Sequence, residues 1–188
     1  NKMEKYFNEI LESTQSLFSN YRDKHTYDIH QDMMQLTLSI ISTVLFQINL
    51  SGRSDKVSEA IHDYMFGMEE HIFHITSFQK HLPTKTNKKF NRAVKYLNSI
   101  IFDLIKQRRI DYETQDDLIS TLIKAQVNDG AKGITDEYLR DELMTFMVGG
   151  HETTANALTW TFYHLTKNPE VLKELRSEVD HVLDSSQI

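Results

Sequence analysis

Cysteine is absent, which excludes disulfides, thiolate metal sites and cysteine nucleophiles from within the sequence. The absence leaves the redox compartment open. Proline and glycine are scarce, 2 and 6 among 188 residues, and so few chain breakers favour long helices over a strand-and-turn architecture. Positive charge is in deficit. At a formal net charge of -6 no basic face is large enough to neutralise a phosphate backbone, which excludes a general nucleic-acid binder. The most basic run, TKTNKKFNR at Thr84–Arg92, is short and reads as a solvated helix start. No apolar run is long enough to span a bilayer, and no signal-peptide pattern is present. The sequence opens on Asn1 and closes on DSSQI, and it reads as a piece of a longer chain.

Apolar residues recur at helical spacing almost throughout, with no convincing alternation of period two, so the expected fold is all-α. A first helix is expected over Lys2–Lys24, with Tyr6, Phe7, Ile10, Leu11 and Leu17 on its apolar side. A second runs from about Asp28 to Gln47, where LTLSIISTVLF is the most apolar stretch of the chain. A third carries Val57, Ile61, Met65, Met68 and Ile72 on one stripe, and a fourth follows the loop at Pro83 and runs to about Tyr112. Thr114 and Asp117 bracket a capping box for a short helix that Gly130 ends. Thr135, followed by Asp136 and Glu137, starts the longest helix, expected over 135–167. Asn168 and Pro169 read as the N-cap and first residue of the last helix. There is no internal repeat and no sign of a second domain.

The long helix carries an anomaly at its middle, FMVGGHETTANAL over Phe146–Leu158. Each helical glycine costs about 1 kcal/mol relative to alanine, and a local rule broken without evident structural gain marks a functional site. At about 100° per residue, Gly149, Gly150, Thr153 and Ala157 share one arc, flanked by Phe146 and Trp160. That strip of small side chains is wide enough for something flat to lie against the backbone. The Thr153 hydroxyl lies one turn after the Gly149 carbonyl, so it can bond back and distort the helix locally, or serve a ligand. Glu152 beside it supplies a carboxylate for proton delivery. From the residues alone, a ligand-binding strip and a helix–helix packing surface both stay open.

Metal readings are weaker. HET begins like the zinc-protease pattern, but position 155 is alanine and the next histidine is His164, so the second ligand is missing. His151 lies away from the strip and reads as a polar surface residue. Two Glu-x-x-His pairs, Glu59 with His62 and Glu178 with His181, are the signature of a di-iron carboxylate bundle, with Glu152 as a bridging carboxylate. The helical wheel turns Glu59 and His62 away from the third helix's apolar stripe. On the last helix Val171, Leu175, Val179 and Val182 are expected inward and His181 outward. His71 and His74 have ligand-like spacing, and are read as satisfied or solvated histidines rather than ligands. No metal site is expected.

GGHETT resembles the oxygen-activating motif of the cytochrome P-450 haem-thiolate monooxygenases: a small residue, Gly, any residue, Asp or Glu, then Thr. Its setting strengthens the resemblance, because LTKNPEVLKELRSEVDHVL follows as the next helix does in that family, DDLISTLIKA resembles the preceding helix, and LTLSIISTVLF an earlier buried one. The resemblance covers residues 1–188, from about the fourth lettered helix to the tenth. It implies the helical part of the P-450 fold, haem b as cofactor, and insertion of one oxygen atom from dioxygen into a small apolar organic substrate. It implies further that Gly149, Gly150, Thr153 and Ala157 line the haem face, that Thr153 hydrogen-bonds dioxygen as it is activated, and that Glu152 passes protons toward it. A reductase or ferredoxin is the implied electron donor.

Three parts of the family pattern are not found here: the axial cysteine, the Glu-x-x-Arg pair that follows on a later helix, and the upstream Trp/Arg segment that holds a haem propionate. The expectation is a partial domain that does not turn over by itself. A non-catalytic helical scaffold and a di-iron bundle are the alternatives. Residues around 73–90 correspond to the family's access channel. Localisation is open, cytoplasmic if the parent is a soluble bacterial-type enzyme.

Overall fold

Side-chain caps set the helix starts, as the sequence pattern suggests. In the computed structural model, which describes residues 2–48, 53–73, 82–130 and 133–185, seven α-helices follow one another. They are α1 (Lys2–Phe18), α2 (Ile29–Phe46), α3 (Ser54–Phe73), α4 (Lys85–Arg108), α5 (Leu118–Asn128), α6 (Asp136–Lys167) and α7 (Pro169–Ser185). No strand occurs among the described residues. The Asp28 carboxylate accepts from the His30 and Gln31 N–H groups, Thr84 Oγ1 from Asn87 N–H, and Thr135 Oγ1 from Tyr138 N–H. Each satisfies donors that the first helical turn leaves unpaired, worth about 1 kcal/mol. At α5 the cap is Asp117 alone, accepting from Ser120 N–H at 2.7 Å, while Thr114 turns back to the Asp111 carbonyl at 2.9 Å. The expected two-residue box is therefore a single-residue cap. Gly130, at φ +64°, ends α5 in the left-handed conformation that glycine adopts without strain.

Two boundaries come earlier than the periodicity suggests. α1 stops at Phe18 rather than Lys24 because Ser19 and Asn20 side chains both take the Ser16 carbonyl, and Tyr21 then stacks on Tyr27 with ring centroids 4.0 Å apart. α4 stops at Arg108 rather than Tyr112. There Arg108 turns to Asp117 at 2.6 Å, to Asp111 at 3.2 Å and to the Phe46 carbonyl at 3.4 Å, joining the ends of α2 and α4 to the start of α5. Between α6 and α7, Asn168 serves both helices: its amide donates to the His164 carbonyl at 2.8 Å, and its own carbonyl accepts from Leu172 N–H at 3.1 Å.

The core lies where α2, α3, α4, α5 and α6 converge, with Leu38, Ile61, Leu97, Ile101, Ile123 and Leu143 buried together. Each such side chain contributes about 1.5–3 kcal/mol by leaving water. α2 packs along α6, and α3 along α4. The second pair meets at Gly67, where an added Cβ would stand 2.6 Å from Phe90 Cβ. Here glycine is needed for close approach of two helices.

Three apolar stripes are only partly covered. On α3, Val57 and Ile61 are buried, but Met68 and Ile72 are exposed. On α1, Phe7, Ile10 and Leu11 are exposed, and only Leu17 packs on the small cluster of Met33, Leu36 and Ala155. On α7, Val171, Leu175, Val179 and Val182, expected to face inward, are exposed as well. The inward orientation expected for the α7 stripe is therefore not observed among the described residues. Among the described residues, α7 touches chiefly α6, and its stripe stays about half exposed.

Candidate functional site

The site is built on α6, which alternates between two kinds of face. Leu139, Leu143, Met144, Met147, Val148, His151 and Ala155 are buried. Phe146, Gly149, Thr153, Ala157 and Trp160 form an exposed strip on the other side. The two glycines divide between these environments. A Cβ at Gly149 would find no heavy atom within 4 Å, whereas one at Gly150 would stand 2.9 Å from Ile41 Cδ1 on α2. Gly150 is therefore explained by packing, and it borders the strip rather than forming its floor. Gly149 has no packing partner that explains it.

The helix does not break at the motif. α6 runs without interruption from Asp136 to Lys167, contrary to the expected distortion over Gly149–Thr153. The Thr153 hydroxyl donates to the Gly149 carbonyl, and the helical pattern absorbs this bond. An unbroken helix agrees with the packing reading at Gly150. The uncovered strip through Gly149, Thr153 and Ala157 does not.

Glu152 is half-buried at the strip's margin, and its Oε2 is enclosed without a hydrogen-bonding partner in the protein. Thr153 and Glu152 thus place an alcohol and a partly desolvated carboxyl side by side. A cavity of about 380 Å³ opens beside Gly149 between α3, α4 and α6. Tyr64, Met65, Met68, Val94, Met144 and Val148 give it apolar walls, and Asn98, Arg140 and Asp141 a polar end.

His151 departs most from the sequence reading. It is not a surface residue: its exposure is 0 %. Two positions before Thr153 is about 200° around the helix, which turns the imidazole into the α2 interface. Nδ1 lies 3.1 Å from Thr37 Oγ1. Burial, with a smaller repulsion from His30, lowers its pKa from 6.5 to about 4, so the ring is neutral at physiological pH. The signal was present in the sequence, since His151 shares its face with Met144, Met147 and Ala155.

Among the described residues no group of three or more His, Cys, Asp or Glu converges. Glu59, His62, Glu178 and His181 are all exposed, so the di-iron pairs are not brought together. His71 Nε2 meets Asn87 Oδ1 at 3.0 Å and packs edge-on against Phe90, as a satisfied histidine does. His74 and the rest of 74–81, within the expected access segment, lie outside the described residues.

The family model for cytochrome P-450 matches residues 1–188. A cyclooctat-9-en-7-ol 5-monooxygenase of Streptomyces melanosporofaciens is 28% identical over 97% of this chain and 40% of its own length. A pentalenene oxygenase of Streptomyces avermitilis is 27% identical with the same coverage. A self-sufficient cytochrome P-450 monooxygenase of Penicillium freii is 31% identical over 83% of this chain and 15% of its own length. The crystal structure of a cytochrome P-450 haem domain superposes with a TM-score of 0.76 at 26% identity, covering 96% of this chain and 40% of that one. The chain thus spans less than half the length of these relatives.

Proposed function

The chain belongs to the cytochrome P-450 family, and from that premise we propose that it supplies the oxygen-activating helix of a haem-dependent monooxygenase. The proposed reaction inserts one oxygen atom from dioxygen into a small apolar organic substrate. The observation that carries this reading is the open strip of Gly149, Thr153 and Ala157, with half-buried Glu152 at its margin and an apolar cavity beside Gly149.

The residues present fit a haem. The strip is flat and low, Gly149 is open above its Cα, and Phe146 and Trp160 offer exposed rings at either end. Gly149, Thr153 and Ala157 would lie against the haem face, with Gly150 at the edge. When bound, haem b with a thiolate ligand supplies the iron at which dioxygen is reduced and its O–O bond cleaved. These 188 residues contain no cysteine to supply that thiolate.

The chain's own part is to place groups. The Thr153 hydroxyl, which donates to the Gly149 carbonyl here, is a rotatable donor and acceptor at the strip's centre. Swung away from that carbonyl, it can donate to dioxygen. Glu152, one residue before, offers a carboxyl group through which protons can be passed toward it. The cavity walls from α3, α4 and α6 exclude water from the substrate and favour an apolar one, with Arg140, Asp141 and Asn98 offering polar contacts at one end. A reductase or ferredoxin is the proposed electron donor.

The test is isotopic. With labelled dioxygen and a reductant, the complete protein carrying this chain should place one labelled oxygen atom in the product. Product oxygen drawn from water would contradict the reading.

A further inference from the structure

α2 and α6 run antiparallel across three polar or close contacts. His30 Nε2 meets Asn156 Oδ1 at 3.2 Å, His151 meets Thr37, and Ile41 lies over Gly150. The middle contact is the fully buried one, and it determines how the imidazole is protonated. Thr37 Oγ1 has one proton and lies 2.9 Å from the Met33 carbonyl, 3.2 Å from that of Met34 and 3.1 Å from that of His151. Carbonyl oxygens only accept, so a hydroxyl proton directed to one of them leaves Thr37 Oγ1 as an acceptor. With the proton so placed, the contact between Thr37 Oγ1 and His151 Nδ1 has the imidazole as its donor. That arrangement is the neutral Nδ1–H tautomer, with the lone pair on Nε2. Nε2 is itself buried and has no hydrogen-bonding partner in the protein.

The consequence falls on the motif. Thr37 also touches the backbone carbonyl of His151, so α2 grips this residue at both its ring and its main chain. Gly150, immediately before it, is held by Ile41. Contacts at two consecutive residues on one side resist rolling of the helix about its axis. Thr153, about 200° around from His151, then keeps its direction toward the open strip. Resting on the monooxygenase reading above, we propose that His151 is a positioning residue for oxygen activation. Its Nδ1–H bond to Thr37 fixes the rotation of the Gly149–Thr154 turn and so aims the Thr153 hydroxyl.

The experiment uses the complete haem protein, in its diamagnetic carbonmonoxy form for spectroscopy. Nitrogen NMR of labelled histidine should show His151 as the Nδ1–H tautomer, and Thr37→Val should remove that signature. Asparagine's amide nitrogen stands where Nδ1 stands, whereas glutamine's stands where Nε2 does. His151→Asn should therefore keep product formed per reductant near the parent value, and His151→Gln should lower it several-fold at unchanged haem content. Should the Gln variant not fold, Thr37→Ser and Thr37→Val replace the pair, with Ser retaining coupling and Val losing it. An Nε2–H tautomer, or equal coupling in both members of a pair, overturns the proposal. Thr153→Ala run alongside separates the two claims: if that change leaves coupling intact, the oxygen-activation reading fails, while the tautomer still decides whether the clamp exists.

Discussion

Gly149 and Gly150 are neighbours in sequence and opposites in environment: Ile41 Cδ1 of α2 fills the space beside Gly150, while a Cβ at Gly149 would meet no heavy atom within 4 Å. Substitution should therefore separate them. Gly150→Val should destabilise the protein by about 1–3 kcal/mol through overpacking against α2. Gly149→Leu should leave the melting temperature unchanged or raise it, because a better helix former replaces glycine in open space. The same change should lower haem content or dioxygen turnover by standing up from the strip. Thermal melts and haem spectra of the two variants check this. Equal destabilisation by both would mean that the strip is covered by protein.

Arg108 and Asp117 form a buried ion pair, the carboxylate having an exposure of 0 %. Arg108→Met should cost about 3–5 kcal/mol, because the Asp117 carboxyl is left buried without its partner. The double change Arg108→Met with Asp117→Asn should recover part of that loss, since no uncompensated charge remains and Asn still caps α5. Denaturant midpoints of the three variants test the pair.

His151 should make stability fall with acid. Its folded pKa of about 4 lies below the unfolded value of 6.5. Between those limits the unfolded chain binds a proton that the folded protein refuses, so stability rises with pH across this window. The contribution is on the order of 3 kcal/mol, absent above pH 6.5 and complete below about pH 4. His151→Asn should flatten unfolding free energy against pH over that interval. An unchanged slope in the variant would place the acid sensitivity elsewhere.

Much of this was legible in the sequence because local chemistry decided it. Asp28, Thr84 and Thr135 cap their helices through side chains two or three residues from the groups they satisfy. The strip of Gly149, Thr153 and Ala157 follows from helical geometry alone. What escaped depends on partners distant in sequence. His151 read as a surface residue although it shares a face with Met144, Met147 and Ala155; what the sequence did not show is its partner Thr37, 114 positions away. Gly150 read as part of the groove because Ile41 could not be foreseen above it. The stripes of α1 and α7 show the converse. Their periodicity was correct, and the described residues offer little to cover them.

Thr153→Ala in the complete haem protein tests the central claim most directly, by measuring product and hydrogen peroxide formed per reductant consumed. If the hydroxyl directs protons during oxygen activation, haem incorporation and substrate affinity should stay near parental values. Reductant consumption should continue, with peroxide replacing most of the hydroxylated product, because a lost transition-state contact misdirects turnover without emptying the site. Glu152→Gln should instead slow turnover as a whole. Parental coupling in Thr153→Ala, with uncoupling in Thr154→Ala, would place the functional hydroxyl one residue along. Parental coupling in both would contradict the account and leave the strip as a packing surface.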